Sequence, residues 1–244
     1  MKTSKIAIVT GASRGIGAAI AMRLARDGLS VVVNFNTQQA SAEEVCQKIR
    51  SDGGTAMPIG ADIATSVGCK TLVEAVKSEF GGIDVLVNNA GWACRSSLKK
   101  VAHDTMRRQL SINVEGMIML SQSATAHMND HGRIINITSI AAAGGPDFTV
   151  YGATKAAGNS ITKSLAHELG PRGITVNAVA PAAVETDLFY EVGLDKSRAI
   201  GLQNTPLGFE GSCVDVANAV SFFVSQDAKW ITGQVLNVCG GKSL

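Results

Sequence analysis

Tyr151 and Lys155 stand four residues apart at what reads as the start of a helix, Tyr151-Gly-Ala-Thr-Lys155. Side chains at i and i+4 project from one helix face and can touch. An ammonium beside a phenol favours the phenolate, so Lys155 is expected to lower the Tyr151 pKa from its usual value of about 10. A phenol tuned in that way is a usable acid and base near neutral pH. The pair alone occurs often by chance. Here a serine, Ser139, lies 12 residues upstream of Tyr151, and a glycine-rich turn lies near the N-terminus. The combination is specific.

That turn is Thr10-Gly-Ala-Ser-Arg-Gly-Ile-Gly17, after the first apolar run and before the first helical stretch. Gly11, Gly15 and Gly17 let the backbone turn sharply and approach a pyrophosphate, which then sits on the positive helix N-terminus. The same letters fit the G-x-S-x-G elbow of α/β-hydrolases. That elbow comes late in its fold, with an acid and a histidine downstream. Here it follows the first strand, and His103, His127, His131 and His167 read as surface residues. The end of the second strand should face the adenosine ribose, where an acidic residue would bind the 2′-hydroxyl. The chain has Asn34-Phe-Asn-Thr37 there, with no carboxylate, and Arg14 sits in the turn. Both features favour NADP(H) over NAD(H).

The elements that position these groups follow from periodicity. Ile6–Val9, Val31–Val33, Val85–Val87, Ile134–Ile137, Ile174–Val176 and Gln234–Val238 read as strands. Stretches near 15–27, 40–52, 67–80, 104–129, 151–170 and 212–225 read as helices. This alternation predicts an α/β fold: a single Rossmann-type, doubly wound parallel sheet with helices on both faces. Residues 1–244 are read as one domain. The span near 184–210 lacks clear periodicity and is expected to form short helices and to act as a substrate lid.

Composition narrows the function. Apolar residues make up 45% and charged residues 17%, so a large core is affordable and disorder is not expected. A net charge of +2 without a basic stripe calls for no nucleic acid. No apolar stretch approaches the roughly 18 residues that cross a bilayer, so no membrane is expected. Cys46, Cys69, Cys94, Cys213 and Cys239 are odd in number and far apart, which reads as a reduced, cytoplasmic protein. No His/Cys/Asp cluster has ligand spacing, so no metal is expected.

With these motifs in place, the chain resembles the short-chain dehydrogenase/reductase family over nearly its whole length. The resemblance rests on Thr10 to Gly17, Asp62, Asn88-Asn-Ala-Gly91, Asn113, Ser139, Tyr151 to Lys155, Asn177, Pro181 through Thr186 and the ending Ile231 to Val238. Much of the sequence is similar to bacterial 3-oxoacyl-acyl-carrier-protein reductases, and related ketone and sugar reductases share the frame. The resemblance implies roles. Tyr151 would protonate a carbonyl oxygen as hydride arrives, and Ser139 would hydrogen-bond that oxygen. Lys155 would bind the nicotinamide ribose and depress the Tyr151 pKa, and Tyr151 would also contact the cofactor. Asn113, mid-helix, would hold a water that links Lys155 to solvent. Cofactor contacts would come from Gly11, Ser13, Arg14, Gly15, Ile16 and Gly17 in the turn and from Asn34, Asn36 and Thr37 at the ribose. Asp62 and Ile63 would meet the adenine edge, and Asn89, Ala90 and Gly91 the adenosine-side ribose. Pro181, Val184 and Thr186 would meet the nicotinamide side. A homotetramer is implied through helices 104–129 and 151–170, with Met117, Met119, Leu120, Ala124 and Ala157 as its apolar face.

The expected reaction is NADPH-dependent reduction of a ketone, 3-oxoacyl or other, to a secondary alcohol. Alternatives are an NAD-dependent alcohol or sugar dehydrogenase, which the missing carboxylate at 34–37 argues against, and a nucleotide-sensing protein without turnover, which would be expected to lose Tyr151 or Lys155. Three departures from the family pattern stand out. Ala182 replaces the usual glycine after Pro181 and requires a negative φ there. Cys239 replaces an aspartate near the C-terminus. The 140–150 loop is one residue shorter than in many acyl-carrier-protein reductases. Trp92, Cys94, Phe148, Leu188, Phe189 and Tyr190 suggest an apolar pocket with aromatic walls.

Overall fold

Alternate residues of each central strand face opposite cores, and that explains why the strands read as continuous apolar runs. A computed structural model describes residues 4–194 and 204–243. Strand β1 (Ile6–Val9) sends Ala7 and Val9 to one side and Ile6 and Ile8 to the other. On the first side lie α1 (Gly15–Arg26), α2 (Gln39–Ser51) and α8 (Cys213–Val224), which contribute Leu24, Ile49 and Phe223. On the second lie α3 (Ser66–Phe80) and α5 (Gly116–Thr125), which contribute Leu72, Val76 and Leu120, and α6 (Thr149–Leu169), which contributes Ala166. A strand covered on both faces has no polar side to show.

The remaining strands are β2 (Ser30–Phe35), β3 (Thr55–Gly60), β4 (Ile83–Asn88), β5 (Met128–Ile137), β6 (Thr175–Pro181) and β7 (Val235–Val238). They form one seven-stranded sheet in the order β3-β2-β1-β4-β5-β6-β7. Every pairing is parallel. The order reverses between β1 and β4, and ligands of such sheets bind outside the strand ends at that point.

Two readings from the sequence change. Strand β3 escaped periodicity because Thr-Ala-Met-Pro-Ile-Gly has no β-branched run and contains Pro58. Proline lacks the N–H of a central strand and is tolerated on a sheet edge, where β3 lies. The expected 104–129 helix is three pieces: α4 (His103–Leu110), a π-helical turn (Ser111–Glu115) and α5. It ends at Thr125, and β5 already begins at Met128.

A buried polar ladder ties the strand ends to α6. Asn88 Nδ2 donates to Asn136 Oδ1 at 2.8 Å and to Ser121 Oγ at 3.1 Å. Asn136 Nδ2 donates to Thr162 Oγ1 at 2.9 Å. Slipping α6 would leave these buried groups unpaired, at about 1–3 kcal/mol each. The helix that carries Tyr151 and Lys155 is thereby held in register with β4 and β5.

Ala182 has a negative φ, since His131 and Asp147 are the only non-glycine residues with positive φ among those described. Its N–H donates to Val238 at 3.0 Å, so the Pro181-Ala182 turn continues the β6–β7 pairing without strain.

Candidate active site

The glycine turn has the shape a pyrophosphate needs. Gly11 and Gly15 have left-handed φ of +58° and +56°. A Cβ on Gly17 would lie 2.4 Å from the Gly11 carbonyl and 2.5 Å from Asn89 Nδ2, so no other residue fits. Asn89 Nδ2 donates to the carbonyls of Thr10 and Gly11 at 2.8 and 3.2 Å. Thr10 Oγ1 accepts from the N–H groups of Asn89 and Ala90, both at 3.0 Å. These bonds weld the turn after β1 to the turn after β4, across the switch point. At the N-terminus of α1, Arg14 makes no side-chain cap and the first turn carries no acidic residue. That helix end keeps its positive field for an anion. The residues present therefore fit a dinucleotide.

The rim residues divide. Asn36 and Thr37 are exposed beyond β2. Asn34 is buried, and its amide is committed to the protein: Nδ2 donates to the Ile59 and Ala61 carbonyls, both at 3.2 Å, and Oδ1 accepts from Gly11 at 3.4 Å. Asn34 thus shapes the turn from beneath. Asp62 is exposed and its Oδ1 accepts from Ala64 at 3.0 Å, while Ile63 is buried against Gly116. Thr186 begins α7 (Asp187–Glu191) and caps it, accepting from Phe189 at 3.3 Å. A Cβ on Gly15 would lie 3.2 Å from Thr186 Cγ2, which places the start of α7 against the nucleotide turn. Pro181 ends β6 and Val184 is buried.

Asn113, Lys155 and Gly91 converge. A Cβ on Gly91 would lie 3.3 Å from Asn113 Oδ1 and 3.4 Å from Lys155 Nζ. Asn113 sits in the π-helical turn, a device that often marks functional sites. It clamps Trp92 twice, donating to its carbonyl and accepting from its N–H, both at 2.8 Å. Asn113 Nδ2 also donates to Thr154 Oγ1 at 3.0 Å, and Thr154 donates to the Tyr151 carbonyl at 2.7 Å. Thr154 lies inside the Tyr151-to-Lys155 motif, yet spacing alone does not reveal this bridge. Lys155 Nζ donates to the Ile137 carbonyl at 2.9 Å. Ser139 starts a 3₁₀ turn, accepting from Ala141 at 3.1 Å and donating to Pro181 at 3.4 Å.

The electrostatics correct one expectation. Lys155 Nζ stands 5.6 Å from the Tyr151 ring centroid. Burial outweighs that charge and pushes the Tyr151 hydroxyl up to about 12, with a hydrogen bond from Ser139 pulling the other way. Burial also lowers Lys155 from 10.5 to about 8. Burial within the protein alone therefore favours the neutral phenol at Tyr151.

Those shifts have opposite stability signs. Between about pH 8 and 10 the unfolded chain binds more protons at Lys155 than the folded one, so stability rises with pH. Above pH 10 the unfolded chain loses the Tyr151 proton first, and stability falls as pH rises. Lys155→Met removes the first effect and the buried charge. Urea unfolding should show the variant gaining on the parent below pH 8 by on the order of a few kcal/mol, relative to pH 10. A difference independent of pH would contradict a depressed Lys155.

Two aromatic–cation stacks occur in this region, one of them against Tyr151. Arg95 lies over the Phe148 ring at 5.4 Å, and Phe148 lies 5.9 Å from the Tyr151 ring. Arg108 lies over Trp92 at 4.2 Å. Trp92 and Phe148, two of the aromatics expected to wall a pocket, thus each carry an arginine on the ring. Of the other residues expected at the pocket, Phe189 is buried and Tyr190 is half exposed. Among the described residues, no group of His, Cys, Asp and Glu could hold a metal, and no helix is long and apolar enough to cross a membrane.

Known proteins share this architecture. Residues 11–243 match the family model described as Enoyl-(Acyl carrier protein) reductase. The chain belongs to the short-chain dehydrogenase/reductase family. It is 43% identical to an uncharacterized oxidoreductase of Methylorubrum extorquens over 240 residues, 97% of each chain. It is 41% identical to the 3-oxoacyl-[acyl-carrier-protein] reductase FabG of Staphylococcus aureus, over 99% of each chain. A short-chain dehydrogenase from Burkholderia cenocepacia, solved in complex with NADP, superposes with a TM-score of 0.93 at 38% identity over the full length of both chains. The chain is therefore an oxidoreductase of this family, and it shares the parallel-sheet fold expected from its sequence.

Proposed function

We propose that the protein is an NADPH-dependent reductase that converts a ketone to a secondary alcohol, with Tyr151 as the proton donor. The observation that carries this reading is the placement of Tyr151, with Ser139 in hydrogen-bond reach of its hydroxyl and Lys155 Nζ 5.6 Å from its ring on the same helix face. NADPH, when bound in the glycine cradle, supplies the hydride. Ser139 orients the carbonyl oxygen, and Tyr151 hands it a proton. Burial raises the Tyr151 pKa and lowers that of Lys155, so the ammonium is the more acidic group and can return the proton to the phenolate. Asn113, whose Nδ2 is engaged by Trp92 and Thr154, would hold the water that refills Lys155 from solvent through the remaining lone pair of Oδ1. NADP(H) is favoured by Arg14 in the turn and by the absence of a carboxylate over 34–37. Support also comes from the Burkholderia relative, whose structure holds NADP. Side-by-side rates with β-ketoesters, aryl ketones and an acyl thioester, each with NADPH and NADH, test the reading. Reduction of none of them, or efficiency that is best with NADH, would refute it.

The span near 184–210 is proposed as the lid, within a single catalytic domain spanning residues 1–244. Part of it, 195–203, lies outside the described residues. Leu188, Phe189 and Tyr190 cannot all face one core, since successive helical residues are about 100° apart. Phe189 is buried, Leu188 is partly covered and Tyr190 is 50% exposed. Hydrogen exchange across 186–205 should slow on adding NADPH plus a product analogue. Equal protection in the free and ternary forms would mean that the segment is preformed.

Assembly is proposed to be a homotetramer. The apolar face expected on the two long helices is corrected in part: Met117, Leu120 and Ala124 are buried within the single chain and cannot meet a partner. Ile118 and Leu110 are the exposed apolar residues of that region, and Phe222, Trp230 and Leu236 are exposed near the β7 edge. Light scattering at micromolar concentration should give four times the 25.3 kDa chain mass. A monomeric mass would rule the assembly out.

A further inference from the structure

The cation of the nucleotide turn already has two partners. Arg14 Nη1 lies 2.8 Å from Asp187 Oδ2, and Nη2 lies 3.5 Å from Glu191 Oε1. Asp187 and Glu191 are the first and last residues of α7. Their i,i+4 spacing puts both carboxylates on one helix face, and that face meets Arg14. The docking is continued by Thr186, which packs against Gly15 at the base of the same turn. Arg14 thus links the phosphate-binding turn to the segment that follows the nicotinamide side of the cleft.

Charge counting makes this arrangement competitive. One guanidinium and two carboxylates sum to one negative charge. A phosphate monoester adds a charge of about −1.5 to −2. A guanidinium fork can face one such group bidentately, and three anions around one cation repel each other. The arrangement is also labile. Side-chain exposures are 52% for Arg14, 59% for Asp187 and 49% for Glu191, so solvent screens each pair and neither holds Arg14 tightly.

We propose that Asp187 and Glu191 are specificity-determining residues for the cofactor. They compete with the 2′-phosphate of NADPH for Arg14, so they set how strongly that phosphate is preferred. Binding of the phosphate frees the acidic face of α7 from the turn. This inference rests on the NADPH reading above and adds to it the residues that oppose Arg14.

The test is a pair of titrations on the full chain, following NADPH and NADH fluorescence. Asp187→Asn/Glu191→Gln keeps the shape of α7 and removes both charges. NADPH should bind about three- to tenfold tighter to this variant, and NADH should change less than about twofold. The gain should shrink in about 0.5 M salt, where the pairs in the parent are already screened. Unchanged NADPH affinity, or equal tightening of both cofactors, overturns the competition. Arg14→Ala separates the two claims. If it abolishes the preference for NADPH while the double variant moves neither cofactor, the cofactor reading stands and the competition fails. If Arg14→Ala leaves the NADPH-to-NADH ratio unchanged, both fail. Thermal melts of both variants within about 4 °C of the parent establish that the fold is intact.

Discussion

Tyr151→Phe should lower kcat by about a thousandfold while cofactor affinity changes little. A positioned acid contributes roughly 10²–10⁴-fold to a proton-transfer step. The substitution removes one hydroxyl and keeps the ring, so the stack on Phe148 at 5.9 Å and the α6 backbone survive. The backbone bridge to Asn113 also survives, because Thr154 bonds the Tyr151 carbonyl and not its side chain. The nucleotide cradle is built from Thr10, Gly11, Gly17 and Asn89, none of which touches the hydroxyl in the structure. Burial even argues for a small gain in stability, since an apolar edge replaces a partly covered polar one. Steady-state turnover together with NADPH titration is the check. Turnover within a few-fold of the parent would remove Tyr151 from the chemistry. A loss of cofactor binding equal to the loss of turnover would instead make it a binding residue.

Arg14→Ala is expected to weaken NADPH by about tenfold or more and to leave NADH nearly unaffected. An ion-paired hydrogen bond contributes about 1.5–3 kcal/mol, or roughly 10- to 150-fold in affinity. The lower end applies here for two reasons. The side chain is 52% exposed, so solvent weakens the pair. Arg14 must also leave Asp187 and Glu191 before it can serve a phosphate fully. NADH lacks the 2′-phosphate and loses little. The ratio of kcat/KM with NADPH to that with NADH is the cleanest readout, since defects shared by both cofactors cancel. A ratio that does not move would place the phosphate contact elsewhere, with Asn36 and Thr37 the exposed donors next in reach of β2.

How much of this was legible in the sequence depends on the range of each interaction. The glycine turn, the alternation of strands and helices, and the spacing of Ser139, Tyr151 and Lys155 are local patterns, so the chain alone determined the fold class and the candidate chemistry. Backbone sterics and helix geometry act over a few residues and leave readable periods. The edge strand Thr55–Gly60 was missed because its identity as a strand comes from pairing with β2, not from its own residues. The break at Ser111–Glu115 was missed because one π turn barely disturbs a helical period, though it is what aims Asn113 at Trp92 and Thr154. Tertiary structure alone decided the rest. Arg14 and Asp187 are 173 residues apart, and no spacing rule pairs them. Met117, Leu120 and Ala124 look like an interface until the folded chain buries them. The pKa of Tyr151 shows the same division. Four residues of spacing promise a lysine that favours the phenolate, yet burial raises the group to about 12. Desolvation depends on everything packed around the hydroxyl, and only the folded chain sets that.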